Sequence, residues 1–153
     1  MLLFLTGIAA SLVGCGDIFS SKESYLSEYG SFIAEVRRGY KDFKPEQWKD
    51  FDAKFRKYSV ELYTKHQTSL TSEEDLLTKK YALQYKMYRC AAGILISIRN
   101  FDTGAVTDTI GVMMALIKEA SEISLDLAEE IDDKIVQKII HEYEAKYDQD
   151  GIK

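Results

Sequence analysis

Cys15 is the residue whose setting most narrowly defines a chemistry. It follows Leu12-Val13-Gly14 at the end of an uncharged, apolar leader that begins at Met1. An apolar run closed by small residues is the pattern of a secretory signal. A small Gly14 suits cleavage before Cys15, and a thiol at the new N-terminus can take a diacylglyceryl thioether. Each buried methylene contributes about 0.8 kcal/mol, so two or more acyl chains make attachment stable. The spacing therefore predicts a lipoprotein signal peptide over 1–14, then the lipidated Cys15 and a tether over 15–22. The leader is short of the roughly 20 apolar residues of a membrane span. No Lys or Arg precedes the apolar run, a departure that a start upstream of Met1 would account for. The competing reading makes 1–14 an ordinary buried helix or strand end.

Other reactive side chains point to packing. With Cys15 acylated no disulfide can form, and Cys90 is left alone in Tyr88-Arg89-Cys90-Ala91-Ala92-Gly93-Ile94. That setting suits a buried structural thiol. Helical bundles often hold metal through Glu-x-x-His pairs. The residues three before His66 and His141 are Tyr63 and Lys138, so no metal site is expected, and His141 beside Glu142 and Glu144 reads as a solvated residue. Glu129-Glu130-Ile131-Asp132-Asp133 is the densest acidic cluster. Adjacent helical residues point to different sides, so these carboxylates do not converge for acid–base work. They read as a solvated face, with a patch for a cation or a basic partner as the alternative. Tyr58, Tyr81, Tyr85, Tyr88, Tyr143 and Tyr147 fall on or beside apolar stripes. Core packing with hydroxyls at the rim is expected of them, against the sharper reading of an aromatic groove for glycan or peptide. Nucleophile elbows, glycine-rich phosphate loops, CxxC pairs and HExxH are missing from the sequence, and Gly104 and Gly111 read as turn and packing glycines. No catalytic residue and no cofactor is expected.

These residues need positioning elements, and composition says which kind. One proline in 153 residues, 46% of them hydrophobic, favours long uninterrupted helices over strands. About 135 residues after the leader and tether suffice for one domain, taken as a helical bundle over 23–153. A net charge of −5 argues against nucleic acid, whose affinity comes mainly from clustered Lys and Arg. It equally fails to suggest a face for anionic lipid.

The fold predicted is all-α, an elongated bundle of three to four long antiparallel helices. The first covers about 21–39, with Leu26, Tyr29, Ile33, Val36 and Tyr40 on one stripe. Lys44-Pro45 forces a break, and Pro45 with Glu46 then opens a second helix. Its stripe is Trp48, Phe51, Phe55, Tyr58 and Leu62, spaced to face one partner. Residues 65–70 read as a connection, and Thr71-Ser72-Glu73-Glu74 as a capping box. A third helix over 71–100 should bury Leu77, Tyr81, Tyr85, Tyr88, Ala92, Leu95 and Ile98, and its small run at 90–93 should let another backbone come close. Residues 100–104 read as a turn. One helix or two should fill 105–147, on a stripe of Met113, Leu116, Ala120, Ile123, Leu127, Ile131, Ile135, Ile139, Tyr143 and Tyr147. The segment Ile110 to Ile117, apolar on most faces, is expected to be the most enclosed. Residues 148–153 should fray.

Four stretches, Tyr25-Leu26-Ser27-Glu28-Tyr29, Phe32-Ile33-Ala34-Glu35-Val36, Pro45-Glu46-Gln47-Trp48-Lys49 and Leu70-Thr71-Ser72-Glu73-Glu74, carry a likeness over about residues 15–90. Through them the chain resembles an uncharacterised family of small helical Bacteroidota lipoproteins. Such proteins commonly have Thr or Ser where this chain has Lys44-Pro45. The resemblance implies an envelope lipoprotein and supplies no catalytic residue.

The expectation is a non-enzymatic envelope lipoprotein, anchored in the outer membrane through Cys15, that binds or scaffolds an envelope or extracellular partner. Two rivals stand beside it: an immunity or inhibitor lipoprotein occluding a toxin or lysin, and a carrier of a small ligand in an aromatic-lined core.

Overall fold

The computed structural model describes residues 21–100, 103–123 and 135–149. Every regular element among them is helical.

Helix α1, Lys22–Gly39, starts where the Ser21 hydroxyl accepts the Ser24 backbone N–H at 3.2 Å, with Glu23 at its positive end and Arg37 and Arg38 at its negative end. It buries Tyr25, Tyr29, Phe32, Ile33 and Val36, a face wider than the expected stripe, and leaves Leu26 only half-buried. Gly39 closes α1 without a side chain because Phe43 occupies that space. A Cβ there would lie 2.3 Å from the Phe43 ring, which is itself stacked on Phe51 at 4.4 Å.

Helix α2, Pro45–Arg56, has proline at its first turn, and the Gln47 side chain accepts the Lys44 backbone N–H at 2.9 Å. The chain then passes through a π-helical stretch, Lys57–Leu62, into α3, Tyr63–His66, and a 3₁₀ turn, Gln67–Ser69. Helical structure thus runs on through Lys65 and His66, which a connection was expected to occupy. The widened backbone places the Tyr58 carbonyl to accept the Tyr25 hydroxyl at 3.2 Å. It also brings His66 into the interior, stacked on Tyr25 at 5.4 Å.

Helix α4, Ser72–Arg99, opens on the capping box: Thr71 Oγ1 accepts the Glu74 N–H at 3.2 Å and Glu74 Oε2 accepts the Thr71 N–H at 2.7 Å. Met87, Ala91 and Ile94 are fully enclosed and Leu83, Tyr85, Ala92, Leu95 and Ile98 nearly so, because α4 is the axis against which α1 and the two later helices, Thr103–Ile123 and Gln137–Gln149, all pack. At its start Thr78 is buried and Leu77 is exposed, the reverse of the expected order. The Thr78 hydroxyl donates to the Asp75 carbonyl at 2.7 Å, so its burial leaves no polar group unpaired.

Helix α5, Thr103–Ile123, starts inside the turn expected over 100–104. It runs antiparallel to α4, with Cys90 donating to the Thr109 carbonyl at 3.5 Å and Lys86 lying 3.7 Å from Glu119. The close approach occurs at the small run, where Ala91 and Ala92 are buried. Helix α6, Gln137–Gln149, buries Ile139 and joins α4 where Lys146 donates to the Arg99 carbonyl at 3.4 Å. Consecutive long helices are antiparallel, while α1 and α4 run parallel. Lys22 meets Glu74 at one end of the bundle, and Arg99 donates to the Lys41 carbonyl at 3.2 Å at the other.

The segment Ile110 to Ile117 is not the most enclosed piece. Met113 is 4% exposed, but Ile110, Val112 and Met114 are 45%, 56% and 61% exposed. Helix α5 packs chiefly on α4, so one face is covered and the apolar residues on its other faces meet solvent.

Candidate functional site

The exposed apolar side of α5 forms one wall of a groove of about 520 Å³. Val112 and Leu116 stand in that wall, Tyr85, Lys86, Arg89 and Cys90 of α4 make the floor, and Asp52 and Phe55 of α2 face them. The groove exists because α2 rests on α4 through large rings. Phe55 stacks on Tyr85 at 4.1 Å and Trp48 meets the same ring edge-on at 6.3 Å.

Asp52, Lys86 and Arg89 at the rim are paired, and Asp108 adds a carboxylate from α5. The Tyr85 hydroxyl donates to Asp52 Oδ1 at 2.7 Å, and Arg89 Nε lies 3.4 Å from the same oxygen. The Arg89 guanidinium also sits 4.8 Å from the centre of the Trp48 ring, a cation–π contact. With Lys86 directed to Glu119 at 3.7 Å, the open part of the groove is the apolar surface of Phe55, Val112 and Leu116.

Tyr85 and Cys90 are held in their neutral forms. Burial, and after it the hydrogen bond to Asp52, raises the Tyr85 hydroxyl far above the ordinary phenol range. Burial also pushes the Cys90 thiol up. The thiolate is the nucleophile, so Cys90 packs in the floor as a thiol. The arrangement is suited to apolar contact, framed by ion pairs that would oppose a misplaced charge.

Cys15 and the acidic cluster 129–133 lie outside the described residues. Cys90 is half-buried. His66 is a buried packing residue and His141 is exposed on α6. Among the described residues no three His, Cys, Asp or Glu side chains gather as a metal would require.

The tyrosines divide. Tyr25, Tyr63 and Tyr85 pack their rings and hydrogen-bond their hydroxyls, to the Tyr58 carbonyl, Asp75 and Asp52. Tyr88 meets Tyr40 in a tilted ring contact at 5.1 Å, and Tyr143 is exposed. The Tyr147 side chain lies outside the description. Sequence reasoning placed Tyr85 and Cys90 correctly on α4 but missed the α5 wall. The available signal was Ile110 to Ile117 itself: an all-apolar segment has more apolar surface than a single neighbour can cover.

No curated protein and no solved structure matches the chain. A family model does, over residues 36–152, from the last turn of α1 through α6 and so beyond the span of 15–90 that carries the resemblance. The chain belongs to the family described as Domain of unknown function (DUF6565).

Proposed function

We propose that this is a non-enzymatic envelope lipoprotein of the Bacteroidota, anchored in the outer membrane through acylated Cys15, whose bundle binds an envelope or extracellular partner along the groove between α2 and α5. The anchor is supported by Leu12-Val13-Gly14-Cys15 and the apolar leader before it. The observation that carries the binding reading is the exposure of Val112, at 56%, in the wall of an apolar groove. An apolar groove with an exposed aliphatic wall of this kind marks an interaction site.

The groove favours this reading over a carrier with its ligand inside the core. The aromatic interior is filled ring against ring, as in the stacks of Tyr29 on Tyr58 at 5.2 Å and Phe32 on Tyr58 at 5.3 Å.

Two measurements test the proposal. Cys15→Ala should move the protein from the membrane fraction to the soluble fraction, and continued membrane fractionation would overturn the anchor. A photocrosslinking residue at Val112 should give a discrete adduct in intact cells that the same residue at Lys49 does not. Equal adducts from both positions would remove the groove from consideration.

A further inference from the structure

A second cleft, of about 740 Å³, lies where α1 ends, between its last turn and the start of α6. Among the described residues, Arg37, Arg38, Lys41 and Lys138 line it against one carboxylate, Asp42. On a chain whose net charge is −5, that is a local reversal of sign. Tyr40 and Tyr88, both buried and in ring contact at 5.1 Å, give it a rigid wall. Glu142, one turn along α6 from Lys138, is directed to Arg99 at 3.9 Å.

A guanidinium offers a planar fork that matches the oxygens of a phosphate, and an ammonium adds a compact point charge. Cations brought together from two elements, over a volume that admits a sugar-phosphate, suit a compact polyanion better than a lone carboxylate. We propose that this cleft binds a phosphate-bearing small molecule, a phosphomonoester or diphosphate, held chiefly by Arg38, Lys41 and Lys138.

Phosphate has two sources in an envelope, a soluble compound and a lipid headgroup. The cleft stands at the opposite end of α1 from Ser21, and an 18-residue helix is about 27 Å long. A chain tethered through the residues before Ser21 therefore holds the cleft away from its membrane, which selects the soluble source. The site is independent of the anchor; this choice of source rests on it.

The test is calorimetric titration of the full-length protein with inorganic pyrophosphate at low salt. Binding should occur, weaken as salt screens the charges, and fall about tenfold for each cation removed in Lys41→Gln and Lys138→Gln. A control pair far from the cleft, Lys49→Gln and Lys65→Gln, should bind as the parent does. Unchanged thermal unfolding will show that the cleft variants keep the fold. Absence of binding, or equal loss in the control pair, overturns the site. In a second arm the Cys15→Ala chain is floated with vesicles of phosphatidylcholine, with and without phosphatidylglycerol. Equal flotation is expected, and recruitment by phosphatidylglycerol that Lys138→Gln abolishes overturns the soluble source.

Discussion

Lys22 Nζ lies 2.8 Å from Glu74 Oε2, and that same oxygen accepts the Thr71 backbone N–H at 2.7 Å. One carboxylate thus caps α4 and fastens the start of α1 to it. The Lys22 hydrogen bond first, and the Thr71 N–H second, hold the Glu74 carboxyl below its ordinary range. A carboxylate with a lowered folded value stabilises the fold above its unfolded pKa, and that contribution is lost as pH falls through the folded value. The unmodified protein should therefore lose more thermal stability than Glu74→Gln between about pH 5 and pH 3. Parallel Tm curves for the two proteins over that window would remove Glu74 from the acid response. Glu23 and Asp75, also lowered, should leave the variant some acid sensitivity of its own.

Two buried tyrosines should respond oppositely to loss of the hydroxyl. Tyr85 donates to Asp52 at 2.7 Å, whereas the enclosed Tyr29 hydroxyl has no hydrogen-bond partner among the described residues. Removing a paired group costs about 1 kcal/mol, while removing an unpaired buried one relieves a desolvation penalty. Tyr85→Phe should lower denaturant stability and Tyr29→Phe should leave it equal or raise it. A larger loss in Tyr29→Phe would show that its hydroxyl has a partner in solution.

These contrasts mark what the sequence could and could not carry. The Thr71–Glu74 box, Pro45 at the head of α2 and the ring spacing from Trp48 are local devices, set by residues within one or two turns of each other. They were legible for that reason. The π-helical stretch Lys57–Leu62 was not, since it serves contacts between Tyr58 and Tyr25 that are far apart in the chain. Hydropathy also favours Leu77 over Thr78, yet threonine is buried because its hydroxyl finds a carbonyl one turn back. Of the groove, the floor was legible as a stripe on α4. The wall was not, because a run such as Ile110 to Ile117 reads the same whether one neighbour or three surround it.

Gly39 offers a test of tight packing at the other end of α1. In Gly39→Ala the new methyl would meet Phe43, which is held by Phe51 at 4.4 Å and edge-on to Trp48 at 5.5 Å. The helical preference for alanine over glycine is worth about 1 kcal/mol, against about 1–3 kcal/mol for overpacking a fixed ring. Net destabilisation is expected in chemical denaturation, and Phe43→Leu in the same chain should recover part of it. A stabilised Gly39→Ala protein would mean that the Phe43 ring moves freely.

The last prediction separates the two sides of α5. Met113 and Met114 are adjacent, at 4% and 61% exposure. Met113→Ala opens a cavity against α4 and should cost about 2–5 kcal/mol, whereas surface changes usually stay within about 0.5 kcal/mol. Val112→Ser and Met114→Ser should therefore both unfold at nearly the parent denaturant concentration, and Val112→Ser alone should reduce adduct formation from a photocrosslinking residue placed at Leu116 in the same groove wall. Stability and binding would then map to different faces of one helix. If Val112→Ser instead destabilised the chain as strongly as Met113→Ala, the groove face of α5 would be part of the fold, and the argument for a partner there would fall with it.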